Sequence, residues 1–218
     1  GSEMCIRDSC RTMASIEGAE IIAVSDLVQA NLDRAKENWG ISKTFNDYNE
    51  MLEMDELDAV LVCTPTGVHG APTVAALKAG KHVLCEKPLA HSPELASEIA
   101  EHAARKGRHV VVSFQRRLSP GYRYMRAQLA GGKLGNVTHV QATQTQERLN
   151  SNEGTWRQSM ALGGGGQLSD SGSPLHETLR PRRHPVDSLR LPPDRLRRRR
   201  RFEADLPDRC DAAGPHPV

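Results

Sequence analysis

Aromatic side chains are scarce in this chain: three Phe, three Tyr and two Trp make up 4% of 218 residues, and hydrophobic residues reach only 38%. Folded domains usually carry roughly 45–50% apolar residues, so the deficit excludes a chain that is packed core throughout. None of the five cysteines (Cys5, Cys10, Cys63, Cys85, Cys210) forms a C-x-x-C pair, which removes the dithiol redox and zinc-ribbon signatures. Cys63 and Cys85 lie inside apolar runs, where a free thiol acts as a small hydrophobe. A reducing, cytoplasmic location is expected from this usage. No apolar run approaches the roughly 18–20 residues of a membrane span, and the N-terminus lacks the basic-then-apolar order of a secretory signal. A soluble protein with no membrane partner is the expectation.

The formal net charge is small, +2, but unevenly spread. Residues 174–218 hold 11 of the 29 basic and 7 of the 27 acidic residues, together with 8 of the 13 prolines. The rest of the chain is therefore slightly acidic, and two differently composed pieces meet near Ser173. Arg197–Arg201 has no interleaved aromatics and no periodic scaffold around it, so a basic run without nucleic-acid function is the reading taken. Residues 174–218 are expected to be disordered or a non-native tail.

From Glu20 onward, short β-rich runs alternate with amphipathic segments, the pattern of βαβ units that build a parallel sheet. Strands are expected at Glu20–Ser25, Asp58–Cys63, Lys81–Cys85 and His109–Phe114, nearly continuous apolar runs that suit a sheet covered on both faces. Helices are expected at Gln29–Trp39 before Gly40, at Val68–Ala79 before Gly80, and at Pro93–Lys106 between an N-cap at Ser92 and a stop at Gly107. Past Phe114 a helix over Pro120–Ala130 and a polar-alternating strand over Asn136–Glu147 suggest the half-exposed sheet of a second domain. The fold class expected is α/β, a Rossmann-type doubly wound parallel sheet over 19–113 without its first strand. The start of an α+β domain would follow over 114–173, with residues 1–18 an uncertain remnant.

Asp26 closes the first strand in A-V-S-D-L. There a Rossmann unit places the carboxylate that accepts the ribose hydroxyls, an arrangement that favours NAD over NADP. An ordinary turn acid at a strand end is the competing reading. The glycine-rich fingerprint that should precede it is absent, since residues 1–18 contain only Gly1 and Gly18. Either the fold differs or its start is missing; Arg11–Ile16 before Glu17-Gly18-Ala19 reads as the end of a first helix, which favours a missing start. Thr64-Pro65-Thr66-Gly67-Val68-His69 follows a buried strand and opens a helix at the carboxyl edge of the sheet, where ligands of such folds bind. The competing reading is a proline turn with a capping threonine. Glu86-Lys87-Pro88 ends the next strand, and a lysine there can donate to a substrate oxygen beside a nicotinamide.

The run Gly80–Ala90 (G-K-H-V-L-C-E-K-P-L-A), with D-A-V-L-V-C-T-P-T-x-x-H at Asp58–His69 and F-Q-R-R-L-S-P at Phe114–Pro120, resembles the glucose–fructose oxidoreductase / inositol dehydrogenase (Gfo/Idh/MocA) family. The resemblance covers about Ala19–Ser173. It implies a catalytic or substrate-orienting Lys87 and a cis Lys87–Pro88 bond. It also implies a cofactor loop shaped by Thr64, Pro65 and His69, with Glu86 and Lys87 beside it. Gly164-Gly165-Gly166-x-x-x-Asp170-x-Gly172 resembles the family's second segment, G-G-G-x-x-x-D-x-G-x-H. Asp170 takes the position of the substrate-contacting aspartate, but Pro174 stands where the histidine base belongs, and His176 lies two residues on. Trp156 and Arg157 fall in a stretch that approaches substrate in such proteins, with packing and surface roles as the competing reading, and Arg117 is a further substrate-binding expectation. A fragment of an NAD-dependent oxidoreductase acting on the CH–OH group of a sugar, inositol or other polyol is thus implied, homo-oligomeric in full-length relatives. Without its base the chain is expected to turn over poorly. The alternative is a non-catalytic dinucleotide- or sugar-binding paralogue.

Overall fold

The computed structural model describes residues 11–143, 153–166, 168–174 and 176. Residues 11–14 are helical and turn at Gly18 (φ 82°) into the first strand. Strand β1 (Ala23–Ser25) pairs in parallel with β2 (Lys43–Phe45) through helix α1 (Gln29–Trp39), which ends as its sequence predicts on Gly40 in the left-handed region. The element β2 and the five-residue helix α2 (Tyr48–Leu52) after it are additions to the sequence reading. Three residues of K-T-F carry too little alternation to register as a strand. The signal for α2 was available: Asp47 accepts from the Asn49 N–H at 2.8 Å, and Glu50 stands three residues on, the spacing of a capping box.

Strands β3 (Ala59–Val62), β4 (His82–Cys85) and β5 (Val110–Val112) form a second parallel piece, with Val83 in register between Val60 and Val110. The four strands expected between Glu20 and Phe114 are all present, trimmed by one to three residues at their ends. Among the described residues β1 and β3 each have one ladder partner, so the sheet stands as two parallel pieces in the orders β1-β2 and β3-β4-β5.

Helix α3 (Gly70–Lys78) and helix α4 (Pro93–Lys106) cover the three-stranded piece. Val62, Leu77, Val83, Cys85 and Ile99 meet in this core, and each large aliphatic side chain buried there contributes about 1.5–3 kcal/mol. The helices approach closely because Gly70 has no side chain: a Cβ there would stand 2.5 Å from a methyl of Leu95. Helix α4 starts where expected, Ser92 Oγ accepting from the Leu95 N–H at 3.2 Å, and stops at Gly107 with φ 59°.

Helix α5 (Pro120–Ala130) has the predicted bounds and no buried residue. The strand expected over Asn136–Glu147 does not form across its described part: residues 136–143 are irregular and exposed, Val137 and Val140 by about half. A half-exposed strand needs a ladder partner and a covered face, and alternation of side chains supplies neither. Residues 144–147 lie outside the described residues, as do 1–10, Cys210 and Arg197–Arg201. No described helix is long and apolar enough to cross a membrane.

Candidate functional site

Every chemically distinctive residue of the sequence reading up to Lys87 sits just past the carboxyl end of a strand. Asp26 follows β1 and is anchored there, its N–H donating to the Phe45 carbonyl of β2. Its carboxylate Oδ1 accepts from the Val28 N–H at 2.8 Å and Oδ2 from Asn31 Nδ2 at 2.9 Å, while Asn46 Nδ2 donates to its carbonyl. These bonds fix the rotamer and leave each carboxylate oxygen a second acceptor site, which suits a pair of hydroxyl donors. Asp26 is half-buried, and among the described residues no cation pairs with its carboxylate, an arrangement that could accept a pair of hydroxyl donors.

The loop after β3 is held from beneath. Thr66 and His69 are buried, at 2% and 1% exposure, whereas Thr64 is exposed and Pro65 half-buried. His69 bridges two loops: Nε2 lies 2.7 Å from the Thr64 carbonyl and Nδ1 2.7 Å from the Pro88 carbonyl. Its side chain thus shapes the loop from within, and Thr64 and Pro65 present the outer surface. The Lys87–Pro88 bond is cis, as expected. Glu86 is buried beside it, its carboxylate accepting from the Lys87 N–H at 3.3 Å and from Gln115 Nε2 at 3.4 Å.

The second segment docks onto this edge. Helix α6 (Met160–Gly163) is capped by Ser159 Oγ, which accepts from the Leu162 N–H, and a π-helical turn over Leu168–Gly172 follows. Glycine is required at both contacts. A Cβ on Gly67 would collide with the Ala161 carbonyl, and one on Gly164, at φ +57°, would stand 2.8 Å from Thr66 Cγ2 and 3.2 Å from His91 Cβ. The first glycine of G-G-G is therefore the seat of the segment on the loop after β3.

This docking brings Lys87 and Asp170 together. Lys87 Nζ donates to the Asp170 carbonyl at 2.7 Å and ion-pairs with Oδ1, with side chains 27% and 13% exposed. On the other side of the carboxylate, Arg157 Nε lies 4.0 Å from Oδ2, and its guanidinium stacks on the Trp156 ring at 4.3 Å. The sequence reading placed Arg157 with Trp156 near substrate, but nothing in its local pattern announces Asp170, thirteen residues away, as a partner. Trp156 Nε1 is buried without a hydrogen-bond partner. Pro174 is buried and His176 is exposed, so the histidine two residues on does not replace the base by packing into its place. Arg117 lies half-buried on the 3-10 turn Gln115–Leu118 after β5. Two open surface depressions, of about 520 and 420 Å³, contain none of these residues; they lie over the helices, and the chemistry lies at the strand ends. No cluster of three or more His, Cys, Asp or Glu able to hold a metal occurs among the described residues.

Residues 6–114 match the model of an oxidoreductase family with an NAD-binding Rossmann fold, and residues 122–180 match a GFO/IDH/MocA C-terminal domain. D-glucoside 3-dehydrogenase of Escherichia coli is 32% identical over 70% of this chain and 43% of its own length. Inositol 2-dehydrogenase of Salmonella typhimurium is 30% identical over 64% of this chain and 43% of its own length. The crystal structure of scyllo-inositol dehydrogenase from Lactobacillus casei with bound NAD(H) and scyllo-inositol superposes with a TM-score of 0.57. It is 31% identical and covers 61% of this chain and 39% of that one. The chain spans less than half the length of these curated relatives.

Proposed function

Since the chain belongs to the Gfo/Idh/MocA oxidoreductases, whose first domain is an NAD-binding Rossmann fold, we propose that it is the part of a polyol or sugar dehydrogenase that binds the dinucleotide and orients the reacting hydroxyl. The observation that carries this reading is the Lys87–Asp170 pair at the carboxyl end of β4. When bound, a nicotinamide cofactor supplies the acceptor for the hydride leaving the substrate carbon. Everything else falls to side chains of this chain.

Asp26 takes the adenosine ribose; the neutral 2′-hydroxyl of NAD suits its carboxylate, and a 2′-phosphate would be repelled by it. Thr64 and Pro65 present the loop surface along the cofactor, with His69 holding that loop to Pro88. Lys87 donates to the reacting substrate oxygen and favours the charge that develops there as its proton leaves. Asp170 accepts from a neighbouring hydroxyl and fixes Lys87 from behind. Trp156 and Arg117 border the substrate. A buried Pro174 cannot take a proton, so turnover by this chain is slow even where binding is intact.

Titrating the chain with NADH and with NADPH by nucleotide fluorescence, then following NADH formation with inositols and glucosides, tests the reading. The expectation is NADH binding tighter than NADPH, polyol-dependent turnover near the detection limit, and a rise of about tenfold or more in Pro174→His. Absence of dinucleotide binding overturns it. Pro174 also favours a second reading, a binding paralogue, which predicts cofactor and polyol binding with no turnover gained in Pro174→His.

A further inference from the structure

Asp170 is held by two cations, one at each oxygen. Lys87 Nζ pairs with Oδ1 and Arg157 Nε stands 4.0 Å from Oδ2, and all three side chains are mostly buried, with exposures of 27%, 13% and 18%. Charges shielded from water in this way act on one another far more strongly than they would on the surface. If Lys87 and Asp170 stood alone, the carboxylate would cancel the ammonium, and the lysine would offer a substrate oxygen little net field. Arg157 sets a second positive charge against Asp170, on the far side of the carboxylate from Lys87, and so offsets part of the carboxylate's pull on the ammonium.

The placement of Arg157 is built rather than incidental. Its guanidinium carbon lies over the Trp156 ring, 4.3 Å from the centroid, a contact that arginine makes better than lysine. Its backbone carbonyl lies 3.3 Å from where a Cβ on Gly163 would be, so the turn bearing it, Trp156–Gln158, packs directly on the segment that carries Asp170. Among the described residues, neither the Arg157 Nε nor the Trp156 Nε1 has a hydrogen-bond acceptor. The guanidinium therefore acts on Asp170 through charge and orientation, not through a closed hydrogen bond.

We propose that Arg157 is a positioning residue for the dehydrogenase reaction. Stacked on Trp156, it holds the Oδ2 side of Asp170 so that Oδ1 and the carbonyl keep Lys87 aimed at the reacting oxygen. This rests on the dehydrogenase reading for its purpose, but the geometric part stands by itself and is tested separately.

The test compares the wild-type chain with Arg157→Met and Arg157→Lys. In 1H–15N spectra tuned to lysine ammonium groups, an ammonium clamped in an ion pair exchanges slowly enough with water to be seen. Lys87 is expected to give such a signal in the wild type, assigned by its loss in Lys87→Met. It should vanish or broaden in Arg157→Met and be largely restored in Arg157→Lys. A signal unchanged in Arg157→Met overturns the proposal, and so does the absence of a Lys87 signal from the wild type. Circular dichroism and the urea midpoint identify a variant that has simply unfolded, in which case the lysine variant alone decides. In the Pro174→His background, Arg157→Met is expected to lower kcat by about tenfold or more while the KM for NAD stays within about twofold, because the interaction lost is with the charge of the transition state. Equal losses in kcat and in NAD affinity overturn the positioning role. If no turnover exists in any background, the dehydrogenase reading fails, and the ammonium signal still decides whether Arg157 aims Lys87.

Discussion

The ε-amino group of Lys87 donates to the backbone carbonyl of Asp170 and pairs with its carboxylate across 83 positions of sequence. One end of this link is set by the turn after β4 and the other by a π-helical turn seated on the loop after β3. The pair therefore reports whether the two halves of the site are assembled.

Lys87→Met leaves a largely buried carboxylate with one cation instead of two. Losing one partner of a fully buried pair costs roughly 3–5 kcal/mol, and the residual exposure of Lys87 together with the neighbouring Arg157 brings the expected loss to about 2 kcal/mol. Urea unfolding checks this, with Asp170→Asn expected to cost less because it removes the buried charge itself. A Lys87→Met midpoint equal to wild type would show that the pair is not formed in solution.

His69→Ala removes a buried ring whose two nitrogens face the carbonyls of Thr64 and Pro88. A loss of about 2–4 kcal/mol is expected from the cavity and the hydrogen bond removed with the ring. Proteolysis localises it: cleavage within 64–69 or 86–91 should rise before cleavage elsewhere.

Two glycines with the same backbone requirement separate strain from packing. Gly40 (φ +67°) has no atom within 4 Å of a built Cβ, whereas Gly164 (φ +57°) has Thr66 Cγ2 at 2.8 Å. Alanine at either position pays the left-handed penalty of roughly 1 kcal/mol. Gly164→Ala is expected to cost at least about 1 kcal/mol more and to undock the segment bearing Asp170. Equal urea midpoints for the two variants would contradict the seating of that segment on Thr66.

His82 accepts the His109 N–H at Nδ1 (3.0 Å), and the two rings stack with centroids 5.1 Å apart. Burial, then the neighbouring His109 and Arg108, hold its pKa below the ordinary 6.5. The unfolded chain thus binds the proton more readily. The stability that His82 contributes is fully present above pH 6.5 and is lost as pH falls toward its folded value. Stability by urea unfolding should decline between about pH 7.5 and about pH 5.5, and less so in His82→Asn, whose amide oxygen accepts without titrating. Identical declines would remove His82 from the account.

Cys85 titrates in the opposite sense. Burial raises its thiol from 9.0 to about 11, Thr73 opposing and Glu86 adding to the shift. The folded state keeps the proton longer than the unfolded state, so this contribution is intact below pH 9 and is lost as pH rises toward about 11. A thiol reagent should modify the half-buried Cys63 of the native protein well before Cys85, whose modification should await unfolding. Cys85→Ser should remove the slowly reacting thiol while leaving Cys63 kinetics unchanged.

Much of this protein was decided locally. Ser92, Pro93 and Gly107 punctuate α4 by capping chemistry that acts within a turn. Gly40 stops α1 because only glycine adopts its φ without penalty, and the apolar runs at 59–62, 82–85 and 110–112 could be satisfied only by burial on both faces. Asp26 at a strand end was legible in the local pattern, and the cis bond and the Lys87 and Asp170 positions through the family resemblance. Tertiary structure decided the rest. Strand β2 exists because β1 offers it a ladder, and residues 136–143 are not a strand because no described partner offers them one. His69 became an internal bridge because Thr64 and Pro88 converge on it. Arg157 joined the site because Gly163, without a side chain, lets its turn pack against the segment that carries Asp170. Sequence fixes what a residue can donate, accept or bend; which charge stands opposite which is a property of distances between segments that local pattern does not contain.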